Sequence, residues 1–336
     1  MLTSNAAIIE RALWQELLST AITQPQELLT ALELTPQQVQ LREPLTHFRL
    51  LVPRGFVSRM QKGNPQDPLL LQVLPQANET QKVMGYQTDP LAESDAIKVP
   101  GLLHKYHGRV LLTLTGACAI HCRYCFRQHF PYGANGFSQQ RAQQIYDYIL
   151  EDNSIEEVIL SGGDPLILDD NRLAAWVARL ETIPHLQRLR IHTRLPIVLP
   201  ERINADLLHW LAQTRLQTSM VIHSNHPQEI DKEVIQGLRR LRQINIPIFN
   251  QAVLLKNVND SAEILIALNK QLFNYGVLPY YLHMLDPVQG TAHFAVGLDK
   301  AKRIMRQMHY QLPGYLVPKL VVEKAYKAAK VLLPYL

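Results

Sequence analysis

The chain has 336 residues, 47% of them hydrophobic and 19% charged, with a net charge of +5 at pH 7. Such a composition can bury a large core and argues against disorder. The mild basicity comes without a dense Lys/Arg stripe interleaved with aromatics, so no nucleic-acid partner is expected.

Residues 1–95 read as an N-terminal helical region followed by a wrapping arm. Ile9, Leu13, Trp14, Leu17 and Leu18 fall at helical spacing, and Leu28, Leu29 and Leu32 form a second apolar cluster. The first residues lack a basic segment leading into an apolar signal core. Gly63-Asn64-Pro65 and Thr88-Asp89-Pro90 then break the pattern. Apolar residues persist between them, which suits an irregular arm laid over a core better than a free linker.

Residues 96–312 are more regular. β-rich runs stand at Val110–Thr115, Glu157–Leu160, Leu189–His192, Thr218–His223, Pro247–Leu254 and Pro279–Met284. Segments of helical period separate them, Gln139–Leu150 and Ala262–Tyr275 among these. Strand, helix, strand at this period indicates βαβ units and a parallel sheet, hence an α/β fold. Six units suit an open, partial (β/α)6 barrel. Polar residues gather at the strand ends, the face where parallel β/α barrels place their active sites. Residues 313–336 form a short C-terminal segment. No apolar stretch in the chain approaches the ~18 residues that cross a bilayer, so no membrane association is expected.

The first strand runs into Cys118-Ala119-Ile120-His121-Cys122-Arg123-Tyr124-Cys125, which holds all three cysteines of the chain. Cysteines without disulfide partners elsewhere argue for a reducing compartment, and we expect a cytoplasmic protein. A structural zinc site wants four closed ligands, and an ordinary ferredoxin cluster wants four cysteines. Three thiolates on one short loop suit a [4Fe–4S] cluster with one iron left open. A Cys3His zinc site using His121 or His129 is the alternative.

The C-x3-C-x2-C spacing, with Tyr124 before the last cysteine, resembles the radical S-adenosylmethionine (SAM) enzymes. There the cluster passes one electron to the sulfonium of SAM, and a glycine-rich second motif approaches the methionine amine. Gly162-Gly163-Asp164, one βα unit later, matches that motif. By the resemblance, Cys118, Cys122 and Cys125 would hold the cluster, and Gly162, Gly163, Asp164, His223 and Gln251 would lie near SAM. Thr193 and Arg194 would line the same cleft.

A narrower resemblance, to lysine 2,3-aminomutases, covers about residues 50–323. Cys125-Phe126-Arg127, Ser161-Gly162-Gly163-Asp164-Pro165-Leu166, His223-Ser224-Asn225-His226-Pro227 and Asn257-Val258-Asn259-Asp260 carry it. It implies pyridoxal phosphate (PLP) as a further cofactor, bound covalently by Lys330, with Lys327 as the other candidate. Lys105, Tyr106 and Arg109 would hold the phosphate. Arg127 would grip the carboxylate of L-lysine, while Asp286 and Glu323 would take its ε-ammonium; the family's free-standing members carry Asp at the latter position. Pro100–Tyr106 and Gly314–Leu320 look most like the short subfamily that makes (R)-β-lysine for elongation factor P. That implies functional links to this factor and its lysyl-ligase, and an electron donor such as flavodoxin; a homodimer remains open. Two rivals stand beside this reading. One is a free-standing lysine 2,3-aminomutase of catabolism, disfavoured by the absence of a longer C-terminal extension. The other is a cluster-binding protein without PLP chemistry.

Overall fold

A computed structural model of the protein describes residues 13–41, 48–134 and 139–336. One ten-stranded sheet organises them, with strands side by side in chain order. β1 (Ile97–Val99) and β2 (Leu102–Tyr106) run antiparallel to one another, and β2 runs antiparallel to β3 (Arg109–Thr115). From β3 the sheet is parallel through β4 (Glu157–Gly162), β5 (Arg188–Thr193), β6 (Gln217–Ile222), β7 (Ile248–Val253), β8 (Val277–His283) and β9 (Lys319–Val322). β10 (Val331–Leu332) turns back antiparallel on β9. β1 and β10 remain the two edges, so the barrel is open. The six expected β-rich runs are strands β3 to β8; β9, a seventh parallel strand, and the flanking antiparallel strands are additions.

Six helices follow β3 to β8 in turn: α1 (Gln139–Glu151), α2 (Asp170–Glu181), α3 (Ala205–Gln213), α4 (Lys232–Gln243), α5 (Ala262–Asn274) and α6 (Leu298–Gln311). Each buries residues spaced three or four apart, as Leu173, Val177 and Leu180 of α2 and Val234, Leu238 and Leu241 of α4 show. The starts of α2 to α5 are set by side chains that accept a hydrogen bond from a backbone amide of the first turn: Asp169, Asn204, Asp231 and Ser261. The helices cover the sheet, and strand residues such as Leu112, Leu160, Ile191 and Ile222 are fully buried. A parallel sheet sealed in this way explains the near-continuous aliphatic runs.

The N-terminal region belongs to the same core. Residues 13–19 and Pro25–Ala31 are helical, and Trp14, Ile22, Leu28, Leu29 and Leu32 pack in one apolar cluster with the barrel residues; Ile9 lies outside the described residues. The arm is punctuated by short turns of helix at Pro68–Leu71, Ala77–Thr80 and Glu93–Ala96. None of the described helices is long and apolar enough to cross a membrane.

Candidate active site

A cavity of about 600 Å³ opens at the C-terminal strand ends, and every site residue named from the sequence except Lys327 and His129 lines it. At one end, β3 leads into the cysteine loop. Cys118, Cys122 and Cys125 are free thiols, all partly buried. Burial, reinforced by the neighbouring sulfurs, pushes Cys125 up to about 12 and raises Cys118 well above an ordinary thiol. Cys118 and Cys125 are thus costly to ionise without cations beside them, as an iron–sulfur cluster supplies. His121 bonds the Arg49 carbonyl through Nδ1 at 2.8 Å and stacks on Phe48, while His129 faces the Gln289 carbonyl. Among the described residues no group of three or more His, Cys, Asp or Glu could hold a single metal ion. With both histidines turned to backbone carbonyls, the three thiols are a donor set of the kind a cluster takes.

Gly162 and Gly163 press directly on that loop. Gly162 has φ +110, and a Cβ there would meet the Thr115 carbonyl oxygen at 2.6 Å. A Cβ on Gly163 would lie 2.2 Å from the Ala117 oxygen. Both positions thus require glycine, and the amides of Gly163 and Asp164 donate to Thr115 and Ala117 at 2.7 and 2.8 Å. The side chain of Asp164 is saturated by protein donors: Thr193 Oγ1, the Arg194 amide and the Leu166 amide. Burial pushes its carboxyl up to about 6 against the pull of those bonds. Asp164 thereby ties the end of β4 to that of β5.

Behind the cysteines lies a buried polar group from four distant segments, around Gln72, Tyr124, His223 and Gln251, in which Gln72 Oε1 accepts from Tyr124 Oη and Asn225 Nδ2. Tyr124 stacks on His223 at 5.6 Å, with its hydroxyl 2.8 Å from Nε2. Burial holds His223 neutral, well below the usual imidazole range. Asn225 donates to Tyr124 Oη at 2.7 Å, and Glu229 accepts from the amides of Asn225 and His226. Gln251 lies beside His223 in the wall.

Charge concentrates at the opposite end. Glu323, just past β9, accepts from Lys105 Nζ at 3.1 Å, from Tyr106 Oη at 3.0 Å and from Lys330 Nζ. Burial alone would raise its carboxyl, but the Lys330 and Lys105 ammonium groups outweigh this and hold it well below the carboxylate range. Arg109 stacks over the Tyr106 ring at 4.8 Å. Two amines and a hydroxyl gather on one carboxylate; they are donors of the kind a phosphate takes, and Glu323 occupies them here. Lys330 stands in the cavity wall, whereas Lys327 is exposed outside it. The segment between β9 and β10 is a turn in which Tyr326 has φ +61 and donates to Asp95 Oδ2 at 2.6 Å.

Asp286 differs from Glu323. Its Oδ1 is buried with no partner among the described residues, and burial, reinforced by the charge of Glu323, pushes the carboxyl up to about 7. A buried carboxylate without a partner is costly, and a ligand ammonium would relieve it. Arg127 is buried and paired through Nε and Nη2 with both oxygens of Glu93, at 2.7 and 2.8 Å, while Nη1 donates to Ser161 Oγ at 3.1 Å.

Sequence reasoning passes over Glu93, Glu229, Gln72, His192 and His283. His192 is the penultimate residue of β5 and His283 the last of β8; both lie near Lys330, and burial keeps both neutral, His283 at about 3. Their strand-end positions were a usable signal. The two glutamates and Gln72 carried none, because their partners lie far away in the chain.

The Radical SAM superfamily matches residues 112–268. The chain is 47% identical over 336 residues to the L-lysine 2,3-aminomutase of Haemophilus influenzae, covering 99% of this chain and 98% of that protein. It is 47% identical over 312 residues to that of Escherichia coli, covering 92% and 91%, and 32% identical to that of Clostridium subterminale, covering 92% and 75%. The chain therefore belongs to the lysine 2,3-aminomutase family, isomerases of the radical SAM superfamily.

Proposed function

We propose that this protein moves the α-amino group of L-lysine to the neighbouring carbon, giving (R)-β-lysine for attachment to elongation factor P. The observation that carries this reading is the shared cavity: three free thiols at one end, the Lys105–Tyr106–Glu323–Lys330 group at the other, and the unpartnered Asp286 carboxylate between its walls. When bound, the cluster with SAM supplies a carbon radical that removes hydrogen, and PLP supplies the π-system across which nitrogen migrates.

The chain's own residues do the orienting. Lys330 is the covalent anchor for PLP, Lys105 and Arg109 neutralise its phosphate, and Tyr106 donates a hydrogen bond to it. Arg127, held rigid by Glu93, offers its remaining N–H groups to the substrate carboxylate. Asp286 receives the ε-ammonium, so that the distance between these groups measures the length of the side chain. Gly162 and Gly163 bring backbone close to the cysteine loop, where the amino acid part of SAM belongs.

The elongation factor P assignment rests on the likeness of Pro100–Tyr106, which contains β2, and of Gly314–Leu320, which leads into β9. A flavodoxin-type donor and a cytoplasmic setting accompany it. Anaerobic incubation with L-lysine, SAM, PLP and a reductant, followed by chiral analysis, tests the reading. (R)-β-Lysine is the expected product. The (S) product would favour a free-standing catabolic aminomutase, and no β-lysine with full cofactor loading would overturn the proposal.

A further inference from the structure

Arg194 follows the last residue of β5, and nothing in the amino shift itself requires it. Its amide is pinned by Asp164 Oδ2 at 2.7 Å. Its guanidinium is buried, lies over the rings of Phe56 and Tyr124 at 5.6 and 5.7 Å, and donates through Nη1 to Cys122 Sγ. Nη2 donates to Gln72 Oε1 at 2.7 Å and lies 3.5 Å from Glu229 Oε2. Gln72 and Glu229 are both fully buried. Nε, also buried and without a partner among the described residues, leaves one more donor on the same group.

We infer that Arg194 is a positioning residue that raises the reduction potential of the cluster through its hydrogen bond to Cys122, and that Glu229 opposes it. The reasoning is electrostatic. Reduction takes one electron from an external reductant and makes the cluster one unit more negative, with no bond formed or broken. A donor on a ligand sulfur, and a positive charge beside it, stabilise the reduced state more than the oxidised one. Burial keeps water from screening that difference. Glu229 carries the opposite charge on the far side of the same guanidinium and so subtracts from the effect. A pair of this kind lets the fold poise the cluster without altering a single cysteine.

The inference rests on the cluster reading alone and needs neither lysine nor PLP. The test is a potentiometric titration of reconstituted protein, followed by electron paramagnetic resonance with no substrate present. Arg194→Gln should shift the midpoint to more negative potential. Poised at the wild-type midpoint, its ratio of reduced to oxidised cluster should be roughly tenfold lower, about 59 mV for one electron. Arg194→Lys should fall between. Glu229→Gln should shift the midpoint the other way, a sign reversal that a purely structural role would not produce. If Arg194→Gln does not load four irons, Glu229→Gln decides, because it leaves the arginine in place. An unchanged or lowered midpoint in Glu229→Gln, or an unchanged one in fully loaded Arg194→Gln, overturns the inference. Failure of the wild type itself to bind four irons would instead sink the cluster reading.

Discussion

The two ends of the cavity are built in different materials. Around the cysteines, backbone meets backbone: Gly163 and Asp164 donate to Thr115 and Ala117, and the loop has no room for a single added methyl group. Around Lys330, side chain meets side chain, and Glu323 gathers three long polar groups from β2 and the β9–β10 turn. The first construction fixes position to a fraction of an ångström. The second fixes charge and leaves position adjustable. A radical-generating centre needs the former, and a covalent cofactor that must exchange its amine partner is served by the latter.

The largest expected effect breaks the rigid end outright. Cys122→Ala removes one of only three thiols, and iron analysis with the visible spectrum should show no more than trace iron and no SAM cleavage. A retained four-iron spectrum would refute the assignment. Lys330→Ala is the matching test at the other end. Borohydride reduction followed by peptide mapping should place the pyridoxyl label on Lys330 in the wild type and on no lysine in the variant, with the cluster intact. A label on Lys327 would move the anchor to a residue that is exposed in this structure.

Gly163→Ala sharpens the comparison, because the added Cβ would strike the backbone of the cysteine loop rather than a yielding side chain. Overpacking of this kind costs ~1–3 kcal/mol, to be read as a lowered Tm together with weakened iron loading. An equal change in Glu323→Gln would show that the two ends do not differ in rigidity. Asp286→Ala should weaken lysine binding by about ten- to a hundredfold, corresponding to ~1.5–3 kcal/mol for a hydrogen bond to a charged group, without changing the cluster or PLP content. The smallest effect is pH dependence. Asp286 is raised to about 7, so it is neutral below that pH and ionised above it. Only the ionised form pairs with an ammonium, so lysine affinity should rise between about pH 6 and about pH 8 and flatten in Asp286→Asn. An unchanged slope in that variant would assign the titration to another group.

Legibility in the sequence follows the same division. The cysteine loop, the glycine pair and strands β3 to β8 could be read directly, because their signals are local: spacing within eight residues, or aliphatic runs bounded by helical segments. β9 could not, since Lys319-Leu320-Val321-Val322 is too short to display a period and owes its existence to pairing with Tyr281–His283. Glu93 and Glu229 are equally opaque. Each becomes meaningful only when the fold delivers an arginine from 34 or 35 residues away. Glu323 was visible as a carboxylate of the site, but its contacts with Lys105, Tyr106 and Lys330 were not. Which charges neutralise one another depends on inter-strand distances, and no linear pattern encodes those.

The open side of the barrel acquires a particular character from this. The sheet's edges do not join by ladder hydrogen bonds; instead β2 reaches the β9–β10 turn through Lys105–Glu323 and Tyr106–Glu323, and Tyr326 fastens the same turn to Asp95. Such a seam can part by exchanging side-chain partners while all six parallel strand pairings stay intact. Amide hydrogens of residues 324–332 should therefore exchange with solvent well before those of β4 to β6, and a phosphate that draws Lys105 and Tyr106 away from Glu323 would restitch the seam around itself.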